Sequence, residues 1–435
     1  MTTDTHRIPA VSVFIGGHLC SSVVSRIMLN VLRVCLLLLA AAPAGALTQA
    51  DIDAVAGKAT RGLKRVTGTL ASNELRGRDN DTPESQIVQR YLVGHLRLRG
   101  AGLNGAASGA DAYKQPFVEA GQRGANLLAV VRGRELPDEY VVVGAHFDHL
   151  DTRGDATGHC RSGGTPGGGV CNGATDNAAG VAAVLAIGKA LTTLPEPPRR
   201  SVVLALWDAE EDGLLGSRYY VNHPLVPLEQ TVAYVNFDIQ GANLLPSLRN
   251  STFAVAGETG GAALRAVVDA AVGAQTLVVH PFSFIFGQAR SDYANFVGNS
   301  VPTIFFSDST GGCYHTTGDD LRVVDFGKLA QQSAIGFRTV VGLAEAPSRP
   351  PFVPGAPLAV FEDAVSLQSV MAMAIPADLE LVSPDDQAAV LATQARIDQI
   401  VADGPAQFDN DDIIELLNAA SMLINVLTGM PCQAF

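Results

Sequence analysis

Positive charge is scarce in this chain. Its 435 residues carry 30 Lys and Arg against 43 Asp and Glu, a formal net charge of -13. No stretch gathers the basic residues into a stripe, which excludes a surface built to recruit nucleic acid. Long apolar runs are scarce too. The run at 34–42 falls well short of the roughly twenty residues that a membrane anchor needs. No internal repeat is present, so a solenoid is not expected. The glycine-rich run at 163–169 lacks the Gly-Lys-Ser/Thr ending of a phosphate-binding loop.

Cysteine is sparse as well, at six residues. Two of these, Cys20 and Cys35, lie in the first fifty residues, which read as an export signal. Arg33 precedes the apolar run, and Pro43 is followed by the small-residue site Ala44-Gly45-Ala46. Residues 1–46 are therefore expected to be a cleaved signal peptide, with Met28 a candidate start. The protein is expected in the periplasm or secreted. Cys35 sits inside the apolar run and not at the cleavage site, which argues against a lipid anchor. Four cysteines remain, an even count that favours disulfides in an exported protein. Cys160 and Cys171 bracket the glycine-rich loop, where few side chains can pack, and are expected to pair. Cys313 and Cys432 are what is left.

A hydrophobic content of 47% is ample for a core. Apolar strands expected at 126–132, 139–145, 202–206, 231–237 and 301–306 alternate with helices at 178–191, 260–272 and 326–343. An earlier helix opens with Thr82-Pro83-Glu84 and runs to Gly100. This alternation predicts an α/β fold with a mostly parallel mixed sheet flanked by helices. The Pro-rich segment at 347–355 breaks the pattern as a linker. Beyond it, Ser383-Pro384-Asp385-Asp386 caps one helix and Asp411 opens another. The second presents Ile413, Leu416, Leu417, Ala420, Leu423, Ile424 and Leu427 as one stripe that must bury against a partner. The expected organisation is a catalytic domain at 47–345 and a helical C-terminal extension at 346–435.

Open α/β sheets carry their chemistry at the carboxyl ends of strands. Five elements here are followed or preceded by metal-ligand residue types. Val141-Val142-Val143-Gly144-Ala145 leads into His146-Phe147-Asp148, and Asp176 precedes the helix at 178. Glu210 and Glu211 follow the strand at 202, Asp238 follows Asn236-Phe237, and His315 lies beyond the strand at 301. A lone histidine or acid pair of this kind is ordinarily a satisfied hydrogen-bonder or a solvated turn. Five together call for a shared cause. Asp176 can bridge two divalent ions, with Glu211 and His315 completing one site and Asp238 and His146 the other. Histidine and carboxylate ligands suit zinc. Asp148 is positioned to orient His146 through its second ring nitrogen. Glu210, beside a ligand, is free to act as general base.

The motifs Gly144-Ala145-His146-Phe147-Asp148, Gly173-Ala174-Thr175-Asp176-Asn177-Ala178-Ala179-Gly180, Asp208-Ala209-Glu210-Glu211-Asp212-Gly213, Asn236-Phe237-Asp238, Ser291-Asp292-Tyr293 and Tyr314-His315-Thr316-Thr317 together resemble the co-catalytic zinc aminopeptidases of the M28 class. The resemblance begins near Leu70 and includes Gly77-Arg78. It implies two zinc ions, the five ligands above, Asp148 as orienting acid, Glu210 as base and Tyr314 as a donor to the oxyanion. It also implies peptide substrates with a free N-terminus. The glycine-rich stretch from Asp148 to Asp176 and the extension depart from the family pattern. Gln115-Pro116-Phe117 runs almost directly into the strand at 126, leaving no room for an inserted domain.

Glutaminyl cyclases resemble the same fold and use one zinc, but they usually carry Ser where Asn177 follows Asp176. A non-catalytic binding module of this fold would lack a ligand or the base, and none is missing. Phe282, Phe284 and Phe286 are candidates for the wall of a substrate pocket, or for core. The export reading predicts that protein recovered from the periplasm or medium begins at or near Leu47. N-terminal sequencing checks this, and cytoplasmic protein with Met28 intact contradicts it.

Overall fold

The computed structural model describes residues 47–152, 160–163, 169–273, 275–355 and 359–435. The expected export segment and the middle of the glycine-rich loop lie outside the described residues. Among those described, nine strands form one sheet. They are β1 (Ala101–Gly102), β2 (Lys114–Glu119), β3 (Gln122–Val131), β4 (Leu136–His146), β5 (Arg200–Trp207), β6 (Thr231–Phe237), β7 (Ser251–Val255), β8 (Val278–Phe282) and β9 (Thr303–Ser307). Their order is β1-β3-β5-β4-β6-β9-β7-β8, with β2 paired to β3. The central β5, β4, β6 and β9 run parallel, while β3 pairs antiparallel to β5 and β7 antiparallel to β9.

The helices are α1 (Gln49–Ala56), α2 (Leu63–Leu70), α3 (Pro83–Leu96), α4 (Ala179–Leu191), α5 (Leu215–Asn222), α6 (Gly261–Val272), α7 (Tyr293–Gly298) and α8 (Phe326–Glu345). After the Pro-rich segment come α9 (Phe361–Asp378), α10 (Pro384–Asp403) and α11 (Asn410–Gly429). The α/β reading and the helical extension match this architecture. The helix begun at Thr82 does start there, its hydroxyl accepting from Ser85 N at 3.1 Å, but it stops at Leu96 rather than Gly100. β9 starts later than expected because Pro302 has no N–H to give; its carbonyl instead accepts from Tyr234 N at 2.9 Å.

Every residue of β5 is buried, which explains its unbroken apolar run. Side chains alternate across the strand. Val202, Leu204 and Leu206 enter one core with residues of α1, α2, α3, α4, α6 and α8. Val203, Ala205 and Trp207 enter the other with Tyr220 of α5, Phe296 of α7, Leu367 and Met371 of α9, Ile397 of α10 and Leu416 of α11. The extension is thus a layer of the second core, and residues 47–435 form one compact unit. The helices at Phe361–Leu381 and Asn410–Gly429 are long and apolar enough to cross a membrane by length and composition. Part of that apolar surface serves this core.

The expected disulfide Cys160–Cys171 is formed, and the two remaining cysteines also pair, as Cys313–Cys432. The second closes a sequence separation of 119 residues and ties the chain just beyond α11 to a loop that follows β9. Cross-links over such spans stabilise by about 2–4 kcal/mol, chiefly by restricting the unfolded chain. Cys432→Ser is therefore expected to lower the unfolding free energy by about that much and to make residues 404–435 quicker to nick in limited proteolysis. Unchanged denaturation and protease resistance would contradict the role.

Candidate metal centre

Because β4, β5, β6 and β9 are parallel, their carboxyl ends lie along one edge. His146 is the last residue of β4. Glu210 and Glu211 follow β5, Asp238 follows β6, and His315 lies within the loop between β9 and α8. Asp176 enters from the turn before α4, whose N-terminus favours a negative charge. The Asp176-Asn177 peptide is cis.

The five expected ligands converge. Nε2 of His146 lies 3.2 Å from Asp176 Oδ1 and 3.3 Å from Asp238 Oδ1. Nε2 of His315 lies 3.4 Å from Asp176 Oδ2 and 3.0 Å from Glu211 Oε2. The two oxygens of Asp176 thus face different histidines, each paired with a different second carboxylate. Glu210 Oε2 stands 4.0 Å from His146 Nε2. Together His146, Glu210 and Asp238 form one group that could hold a cation, and His146, Asp176 and Glu211 another.

Burial opposes charge throughout the cluster, and neighbours decide the outcome. It pushes Asp176 up, but the imidazoles of His146 and His315 beside it hold that carboxyl well below its ordinary range. Glu211 is likewise drawn down against burial, by His315 and His149. Burial pushes Glu210 well above the carboxylate range; His146 opposes this, while Asp238 and Glu211 add to it. His315 is raised to about 10, since Glu211 and Asp176 outweigh its burial. The adjacent glutamates are therefore chemically unlike. The donor set fits divalent cations. Nε2 of His315 is buried and close to two carboxylates, yet has no hydrogen-bond partner, and buried like charges need a compensating cation.

Asp148 lies beside His146 with both its carboxylate and its backbone carbonyl. The nearest oxygen to His146 Nδ1 is the Asp148 backbone carbonyl at 3.1 Å, with the carboxylate at 3.6 Å. That carboxylate also accepts the backbone amides of Glu210 at 3.1 Å and Glu211 at 3.2 Å. It fixes the β5 turn that carries both glutamates. Asp319 does the same for the other turn, accepting Thr175 N at 2.9 Å and Asp176 N at 3.1 Å. Asn177 donates to Phe237 O at 2.8 Å, which ties that turn to the end of β6. Gly180 leaves the room this needs, because a Cβ there would strike the Asn177 amide.

Four contributors were not read from the sequence as functional. Arg78 is fully buried, and its guanidinium donates to the carbonyls of Phe147 at 2.7 Å, Gly173 at 2.8 Å and Leu70 at 3.2 Å, and also to Asn172 O. Burial lowers its pKa to about 10, opposed by Asp176 and Asp148, so it stays charged at neutral pH. His149 Nδ1 lies 2.6 Å from Glu211 Oε1; its spacing of three from His146 was the available signal. Arg290 donates to Tyr314 Oη at 3.1 Å and lies over that ring. Asp319 is the fourth. Tyr314 stacks on His315 with ring centroids 3.8 Å apart, and burial, with Glu211 and Asp176, pushes its phenol well above the usual range.

An apolar cavity opens beside the centre, lined by Phe282 and Phe286. Phe284 is not among its lining residues and packs on Tyr293, with centroids 5.1 Å apart.

A model of peptidase family M28 matches residues 126–339, the region that supplies all five converging ligands. The chain belongs to peptidase family M28. It is 30% identical over 233 residues to a probable glutamate carboxypeptidase of Arabidopsis thaliana, covering 50% of this chain and 31% of that protein. The chain thus spans about a third or less of the curated relatives it first matches. In fold, this M28 chain is similar to the LapA aminopeptidase of Legionella pneumophila, with a TM-score of 0.55 and 17% identity over 70% of this chain and 76% of that one. It is also similar to the glutaminyl cyclase of Porphyromonas gingivalis, with a TM-score of 0.50 and 18% identity over 66% and 97%. One fold bears three named activities, so the activity must be argued from the site.

The Arg78 guanidinium ties together the chain around His146 and Asp176. Lysine keeps the charge but not the fork of donors. Arg78→Lys is therefore expected to cost about 2–4 kcal/mol of stability by leaving buried carbonyls unpaired, and to weaken zinc retention. Calorimetry and metal analysis check both. Wild-type values for both would remove Arg78 from the architecture of the centre.

Proposed function

We propose that this chain is an exported aminopeptidase that removes N-terminal residues from peptides at a two-zinc centre. The observation that carries this reading is the division of the Asp176 oxygens between His146 and His315. It supports one zinc held by His146, Asp238 and Asp176, and a second held by His315, Glu211 and Asp176. Bound there, zinc would supply the Lewis acidity that activates water and polarises a peptide carbonyl.

The remaining steps fall to the protein. Glu210 is next to a ligand yet stands back from the histidines, and it edges the cavity. In this reading its carboxylate takes a proton from the attacking water and passes it to the departing amine. Tyr314 keeps its phenolic proton at working pH. With its oxygen accepting from Arg290, it has that proton left to donate to the tetrahedral oxyanion. Asp176, Glu210, Glu211 and Asp238 edge the cavity, and Arg290, the lone Lys or Arg among the described lining residues, is engaged with Tyr314. An acidic edge suits the cationic amino end of a peptide better than its carboxylate end. Export is supported by the leader-like composition of residues 1–46 and by the two disulfides.

The test uses aminoacyl-anilides, N-terminally blocked peptides and glutaminyl peptides, each with and without zinc. Zinc-dependent hydrolysis of free-amino substrates alone, with close to two zinc per chain, supports the reading. One zinc with turnover restricted to glutaminyl peptides hands the site to a cyclase. The two glutamates then separate. Glu211→Gln is expected to lose zinc and activity together. Glu210→Gln should retain zinc and fold but lose kcat by roughly a hundred- to ten-thousandfold, with KM little changed. If Glu210→Gln keeps its kcat, or sheds zinc as Glu211→Gln does, base and ligand are misassigned.

A further inference from the structure

The cavity beside the metal centre has a volume of ≈ 160 Å³ and two sources of wall. From the M28 region come Leu244, Phe253, Phe282, Phe286 and Phe305. From the extension, beyond the residues that match the family, come Leu367 and Val370 of α9 and Leu423 and Leu427 of α11. Its polar lining residues include Asp176, Glu210, Arg290 and Tyr314 of the centre. The space is therefore continuous from the carboxylates to an apolar interior.

The extension is fixed in this position at several points, each near the rim of the centre. Asp363, in the first turn of α9, accepts Ser283 N at 2.7 Å, beside Phe282. Along α11, Ser421 accepts from Gln288 at 3.4 Å and Thr428 bonds Thr310 at 3.2 Å. Just past the helix, Cys432 is bonded to Cys313, which precedes Tyr314 and His315. Gln288 and Thr310 themselves line the cavity. These ties fall on both loops that carry the rim, so α11 is held as a wall of the site.

We propose that α9 and α11 are the specificity-determining wall of this enzyme, shaping with Phe282 and Phe286 a pocket for a bulky apolar side chain on the substrate's first residue. The proposal rests on the aminopeptidase reading, which puts that residue beside the metal centre. A leucine- or phenylalanine-sized side chain exchanges water for apolar contact on both walls. A lysine or glutamate side chain would carry its charge past the centre into the interior formed by Leu, Val and Phe side chains, at a desolvation cost that rejects it. The selecting residues Leu423, Leu427, Leu367 and Val370 thus come from outside the sheet edge that holds the catalytic groups.

The test measures affinity of the zinc-loaded full-length protein for glycine, leucine, phenylalanine and lysine hydroxamates, which share a metal-binding head and differ in side chain. The wild type is expected to bind leucine or phenylalanine hydroxamate roughly tenfold or more tightly than the glycine or lysine compounds, the scale of discrimination that apolar pockets provide. Leu423→Ala widens the pocket and should raise the phenylalanine-to-leucine affinity ratio; Val370→Trp fills it and should lower that ratio. A general folding defect moves both ligands together and leaves the ratio alone, so opposite shifts carry the proposal. Ratios that stay at the wild-type value in both variants overturn it, as does a wild type that does not prefer apolar side chains. Side-chain-selective binding without hydrolysis of any aminoacyl-anilide would sink the aminopeptidase reading while upholding the pocket. Hydrolysis with unaltered ratios would do the reverse.

Discussion

Four carboxylates of like sign share a buried space at one edge of the sheet, and the molecule around them is arranged to make that tolerable. Two unit charges 4 Å apart repel by about 4 kcal/mol at the effective dielectric of a protein interior near its surface. Asp176, Glu210, Glu211 and Asp238 would not stay together on packing alone. His146 and His315 are interleaved among them, the Arg78 charge lies behind them, and the donor set asks for cations between. Two acids outside the ligand set, Asp148 and Asp319, hold the turns by accepting backbone amides. The acids therefore divide into those offered to a metal and those satisfied by the backbone.

This division depends on the sheet. Parallel strands end on the same side, so four connections can each deliver one or two groups to a common point. The strands pointing there are buried on both faces and cannot shift register without moving every side chain to the opposite core. Buried β5 between two cores makes the position of the Glu210-Glu211 turn a property of the whole domain. Asp208 extends the same rigidity: its carboxylate accepts Ala125 N at 2.8 Å, joining the end of β5 to neighbouring β3.

What was legible in the sequence was what depends on residue type and strand ends. His146, Glu211 and Asp238 announced themselves because they closely follow apolar strands, Asp176 because it precedes an apolar helix, and His315 because it supplies the second imidazole that such a set needs. Arg78 did not, although it lies in the first stretch of the resemblance. It works through carbonyls that leave no mark in the sequence, and its burial follows from the whole fold. The second task of Asp148 was hidden for a related reason: spacing puts its carboxylate near His146, but does not show that it also accepts the amides of the β5 turn. α9 escaped notice because its apolar residues are spread around the helix and Pro376 lies within it. Phe282, Phe284 and Phe286 could not be sorted into pocket and core by alternation, because the chain leaves β8 after Phe282 and turns into a short helical segment.

The Pro-rich segment at 347–355 marks a change of composition, yet the core continues past it. Trp207 of β5 and Leu367 of α9 belong to one buried cluster, and the same α9 turns Leu367 and Val370 toward the cavity. A helix that served only as cover could tolerate drift of an ångström; one that also bounds a pocket cannot. The bonds from α9 and α11 to the rim loops meet that stricter demand, and they run to loops that also line the cavity or carry His315. Under the proposed function, chemistry and selection fall to different parts of the chain. The candidate ligands are fixed by a sheet edge that tolerates little change, whereas the cavity wall comes from helices whose apolar residues can vary in size without moving any of the five converging side chains.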